Sequence, residues 1–192
     1  DLSTMIRTLG LRWKFLFKGF HFSLAPFPED WCSLALAMEN LGIQNIGLMG
    51  SLTTAAILAE ILDRGTWQKI GFNGLMLPVL EDSRLAKRSI EGSFSVKDLL
   101  MYSSVCGTGL DTVPLPGDIP RASIESLLMD IAALSLRLDK PLTARLMPVP
   151  GLKSGDKTQF DFEFFKNGKI LDFPSAPLKK PLSTSEWIEI RS

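Results

Sequence analysis

The chain carries no surplus charge: 21 Lys+Arg stand against 21 Asp+Glu in 192 residues. A general nucleic-acid or anionic-membrane binder needs a basic surplus to neutralise phosphate, so those classes are not expected, though a local basic patch stays open. No apolar run approaches the ~20 residues of a membrane span. The start, "DLSTMIRTLG", lacks the charged, apolar and small-residue order of a secretory signal. Cysteine is scarce: Cys32 and Cys106 are the only two. Two thiols make no disulfide framework, so a reducing compartment, the cytoplasm, is expected, with an organelle left open. His21 is the single histidine. A His-rich metal site is thereby excluded and any catalytic triad has one candidate imidazole. A carboxylate site for Mg²⁺ or Ca²⁺ stays open, but no metal ligand set is assigned and no cofactor follows.

Motifs are missing too. There is no phosphate loop of the G-x-x-x-x-G-K-[ST] type and no G-x-S-x-G elbow. Gly107 and Gly109 begin a dinucleotide fingerprint, but position 112 is Thr where the third glycine would stand. What is present is the balance of a folded protein, with 45% apolar and 22% charged residues. The length suits one domain or a large piece of one. The chain begins with Asp rather than Met, from which a processed product or part of a longer protein is expected.

Strand-like and helix-like stretches alternate. The run 13–28 has period two through Phe20, Phe22 and Leu24, with His21 and Ser23 between them. A helix over 31–42 follows, with Asp30 as cap and Gly42 as stop. A short strand at 43–50 leads to a helix opened by Ser51 or Thr53, with Ile57, Leu58, Ile61 and Leu62 on one face. A third strand over 70–82 precedes a helix at 83–92. "SVKD" then caps a helix from Ser95, and the clearest helix runs from Pro120 to Lys140. "LTARLMPVPG" reads as a strand. "FDFEFFKNGKILDF" reads as a hairpin turning at Asn167-Gly168, with Phe160, Phe162 and Phe164 on one face. Residues 174–192 are expected to drape over the surface. The class is α/β.

The candidate site centres on "GTGLDTVPLPGD", residues 107–118. Gly107 and Gly109 permit close approach to a ligand or positive φ. Asp111 lies between Leu110 and Val113, where an acid is a candidate general base unless it meets a cation. Its alternative is a turn cap or a pair with Arg145. Arg145, among apolar neighbours, suits bidentate capture of an anion, or pairs with Asp111 or Asp156. Cys106 is either a nucleophile or a buried small hydrophobe. Glu81 ends a strand, where α/β proteins place functional groups, or serves as a helix N-terminal acid. His21 is a base or structural. Ser51 binds an anion at a helix N-terminus or merely caps it. Lys153, Asp156 and Lys157 close over an anion or form a solvated loop.

The strings "FSLAPFPED", "GLMLPVLEDSRLAKRS", "SVKDLLMYSSVCGTGLDTVPLPGD" and "DKPLTARLMPVPGLKSGDKTQFDF" closely resemble the uncharacterised family DUF711, also called UPF0210. The resemblance runs from about Gly19 to the hairpin. It implies a C-terminal half of a larger protein, with the N-terminal half absent or a separate chain. It also implies an α/β barrel similar to that of glycyl radical enzymes, with a C-terminal β-hairpin. No R-V-x-G-Y-like loop is present, so a thiyl radical at Cys106 has no glycine to feed it. The family pattern implies an acid where His21 stands. Family members occur beside a small ACT-domain protein, which implies a ligand-regulated partnership. Three readings follow: an enzyme with Asp111 as acid/base and Arg145 as anion clamp, a non-catalytic metabolite sensor, or a scaffold piece of a larger barrel. The expected partners are a small molecule, the missing half, a homo-oligomer or the ACT-domain protein.

Overall fold

The computed structural model describes residues 2–180 together with 182, 183, 187, 189 and 190. The α/β class holds. Helix α1 (Leu2–Trp13) opens the chain, followed by a 3-10 turn (Asp30–Cys32) and α2 (Leu34–Asn40). Then come α3 (Ser51–Asp63), α4 (Ser83–Glu91), α5 (Val96–Ser103), strand β1 (Gly109–Pro116), α6 (Arg121–Arg137) and β2 (Thr143–Val149). β1 and β2 pair in parallel, joined by α6 as a crossover. Among the described residues the registered sheet has these two strands.

The earlier segments continue the parallel order through single bridges. Leu24 bridges Leu75, and Phe20 bridges Lys69. Gly107 N–H donates to Leu75 O at 2.7 Å, and Val79 N–H to Asp111 O at 3.0 Å. Segment 74–79 therefore lies between 20–24 and β1. The expected strands over 13–28 and 70–82 shrink to these bridges. Residues 43–50 form turns instead of a strand. The stretch is glycine-punctuated, and Gly47 and Gly50 take φ of 103° and 100°, which an extended strand excludes.

Local chemistry sets the helix ends. The cap of α2 is Ser33 rather than Asp30, with Ser33 Oγ accepting from Leu36 N–H at 3.0 Å. α5 carries the capping box that "SVKD" announces: Ser95 N–H donates to Asp98 Oδ2 at 2.7 Å and Asp98 N–H to Ser95 Oγ. α3, α5 and β1 share one apolar core that includes Leu58, Leu99, Tyr102, Leu110, Val113 and Leu115. Ile57 and Ile61 were expected on the buried face of α3, yet both are exposed, while Leu58 and Leu62 are buried.

The expected hairpin is corrected. Among the described residues the two arms meet at one antiparallel bridge, Lys157 to Lys169, with backbone bonds joining Gly155 and Asp156 to Ile170 and Thr158 to Gly168, but form no named strand, and the chain reverses at Phe162–Phe165. Asn167 does not occupy a left-handed turn. Its side chain accepts from Phe160 N–H and donates to Phe160 O, so it pins the base of a wider loop. Residues 174–180 run without secondary structure and mostly exposed. The rest of the expected tail includes positions 181, 184–186, 188, 191 and 192, which lie outside the described residues.

Candidate functional site

Strand β1 is interrupted where Asp111 sits. Leu110 pairs with Ala144 and Val113 with Leu146, so Asp111 and Thr112 form a bulge opposite the single residue Arg145. Thr112 takes φ of 40°, rare for a β-branched residue, and its Oγ accepts from Leu80 N–H at 3.3 Å. The bulge keeps Leu110, Val113 and Leu115 in the core although their spacing is not regular. It also turns Asp111 toward β2.

Arg145 meets two acids there. Its Nε donates to Asp111 Oδ1 at 2.5 Å, and its Nη2 lies 2.8 Å from Glu81 Oε1. The side chains differ in cover: 6% exposed for Asp111, 25% for Glu81 and 52% for Arg145. Glu81 arrives on the turn 78–82, which docks on the bulge through Val79 N–H and Leu80 N–H. Burial pushes the Glu81 carboxyl above its ordinary range. Arg145 pulls it back down, and the neighbouring Asp111 charge raises it. Arg145 is held more firmly protonated, chiefly by its hydrogen bond to Asp111.

Asp82, next to Glu81, is fully buried and has a different task. Its Oδ1 accepts from Ser33 Oγ, Arg84 N–H and Leu85 N–H, and its Oδ2 from Leu34 N–H and Ala35 N–H. One carboxylate thus caps both α2 and α4 and anchors the turn that presents Glu81. In sequence Asp82, like Glu81, reads equally as a functional group at a strand end or as a helix N-terminal acid. A second helix start meeting it from residue 33 leaves no local sequence signal.

The other candidates lie apart from these ion pairs. Ser51 is buried, donates to Leu48 O at 2.6 Å and accepts from Gly47 N–H, so its hydroxyl is spent on its own turn. Cys106 is buried and its Sγ accepts from Gly109 N–H at 3.2 Å, closing the turn before β1. Gly107 crosses Gly74: a Cβ on it would stand 2.8 Å from Gly74 Cα. Gly109 takes φ of 104° against Thr143. These two glycines serve chain packing. His21 is exposed and bonds Ser23 Oγ at 2.9 Å. Asp156 accepts from Lys153 N–H at 2.7 Å within an exposed loop, and Lys157 is likewise exposed.

Lys140 was not anticipated. It shares a cleft of about 490 Å³ with Cys106, Gly107, Asn73 and Asp63. Its Nζ donates to Ser103 O and Ser104 O at the C-terminus of α5, and burial holds its pKa below the usual range. A basic residue after a helical run is the only signal it left in the sequence. Among the described residues no group of three His, Cys, Asp or Glu could hold a metal ion, and no helix is long and apolar enough to cross a membrane.

Fold and site together define an α/β protein with a charged trio on adjacent parallel segments. The family described as Uncharacterised ACR (DUF711) matches residues 3–167, and the chain belongs to it. It is 36% identical over 138 residues to a UPF0210 protein of Pyrobaculum aerophilum, covering 70% of this chain and 31% of that one. It is 33% identical over 142 residues to a UPF0210 protein of Lacticaseibacillus casei, covering 72% and 31%. The chain therefore spans about a third of the length of these relatives. This corrects the expected C-terminal half: the match opens at residue 3 rather than near Gly19, and a 31% share is a third. No solved structure matches the chain.

Proposed function

We propose that Glu81, Arg145 and Asp111 form an anion-binding, acid/base site in an enzyme-like α/β barrel of which this chain is a part. The observation that carries the proposal is Arg145 itself. It stands half exposed on β2 while two acids from neighbouring segments orient it. A guanidinium fixed in this way is prepared for a carboxylate or phosphate without further ordering. Glu81, with its raised pKa, can hold or release a proton beside the bound anion. The parallel succession of 20–24, 74–79, β1 and β2 supports the barrel reading. No step of this chemistry calls for a glycyl radical.

The test is a melting-temperature screen of small anions: oxalate, malonate and inorganic phosphate. A binding anion raises the midpoint, and Arg145→Ala lowers its affinity at least about tenfold, the loss expected for a charge-assisted bond. A midpoint that no anion moves, or an equal shift in Arg145→Ala, removes the site. The sensing alternative, with an ACT-domain partner, uses the same clamp. Retention of the anion with no chemical change would favour it over the enzyme.

A further inference from the structure

We propose that an anion arriving at Arg145 displaces Glu81 rather than Asp111, and that the released Glu81 then takes up a proton and becomes the acid of the site. This rests on the anion-site reading above. The geometry of the guanidinium decides which acid yields. Arginine offers two forks: Nε with Nη2 along the side, and Nη1 with Nη2 at the end. Asp111 occupies Nε and Glu81 occupies Nη2. Among the described residues Nη1 holds no ion pair. An incoming carboxylate therefore approaches the end fork, whose other nitrogen is the one Glu81 holds. It need not touch the bond to Asp111.

The two acids are also unequally held. Asp111 is on the strand bulge and almost wholly covered. Glu81 sits on a turn, is four times as exposed at 25% against 6%, and has one more rotatable bond. Once Arg145 is engaged elsewhere, the attraction that stabilised the Glu81 carboxylate is weakened. Partial burial and the Asp111 charge remain, and both favour the protonated form. The charged groups around Glu81 are few. Arg145 comes from β2 and Asp111 from β1. Asp82 is turned into the starts of α2 and α4, Arg84 on α4 faces Glu39, and Lys166 is exposed and donates its backbone N–H to Leu80 O. The proton comes from solvent to a Glu81 carboxylate oxygen, so binding of one anion is coupled to uptake of up to one proton.

The experiment is titration calorimetry of the full chain with oxalate, in buffers of differing ionisation enthalpy, from about pH 6 to about pH 8. Wild type is expected to take up close to one proton. Its affinity should then fall up to about tenfold per pH unit, the slope that one linked proton imposes. Glu81→Gln is expected to bind oxalate at least as tightly, with no proton uptake and a flat pH dependence. Oxalate binding to wild type without proton uptake, or with the same uptake in Glu81→Gln, overturns the displacement while leaving the anion site standing. Failure of oxalate to bind either protein overturns the site and the displacement together.

Discussion

At the scale of single residues, Glu81 and Gly107 behave in ways their types alone do not reveal. Glu81 has its folded-state pKa above the ordinary carboxylate value, with burial the leading cause. The folded state then binds more protons than the unfolded one between the two values. Glu81 therefore contributes stability below its unfolded pKa, and that contribution is lost as pH rises through the folded pKa. Gln keeps the neutral form, so the melting temperature of wild type should fall relative to that of Glu81→Gln over this acidic window and level off above it. Thermal melts at closely spaced pH values check this, and a wild type that gains on the variant as pH rises would contradict it. Gly107 illustrates steric demand. Its φ is ordinary, so only the crossing with Gly74 excludes a side chain. Gly107→Ala should cost roughly 1–3 kcal/mol, the range for overpacking, in a urea melt.

At the scale of elements, the connections between helices carry more of the site than the helices do. Asp82 ends the turn that presents Glu81 and accepts five hydrogen bonds from the starts of two helices. Asp82→Ala should lose two caps, about 2–3 kcal/mol at typical values near 1 kcal/mol per cap with burial added. Asp98→Ala, in the capping box of α5 alone, should cost about 1 kcal/mol. Denaturant unfolding of the pair compares them, and equal losses would show that Asp82 serves one helix only. The ion pair of Arg88 with Glu39, at 2.8 Å and largely buried, ties α4 to α2 independently of Asp82. That tie gives the Asp82 variant a route to stay folded.

At the scale of the whole molecule, apolar surface is the conspicuous feature. α1 buries only Gly10, α3 exposes Ile57 and Ile61, and α6 exposes Leu128, Met129 and Leu136. Such patches mark surfaces that pair with something else. The chain on its own should self-associate at micromolar concentrations. Ile57→Glu with Ile61→Glu should reduce that association with little change in melting temperature, because neither side chain enters the core. Light scattering of the two proteins distinguishes this from a chain that is monomeric throughout.

Several features were decided by short-range chemistry, and so were readable from the order of residues. "SVKD" specifies a capping box because Ser and Asp three apart can bond each other's backbone. Asp82 before "SRLAKRSIEG", with Gly92 after it, sets both ends of α4 for the same reason. Pro120 marks the start of α6, and the alternation of elements set the α/β class. Asp111 and Arg145 were legible as candidates because charged residues among apolar ones need a partner. Their union with Glu81 was not. It depends on a bulge that rotates Asp111 toward β2, on a parallel crossover that brings residue 145 to residue 111, and on a turn capped from residue 33. The hairpin expected over 160–173 did not turn at Asn167-Gly168 for a related reason. Asn167 found better partners in its own side-chain bonds to Phe160 than in a two-residue turn. Bonds within a few residues are written in the sequence. Bonds between distant residues exist only once the chain is packed, and the charged trio is made of those.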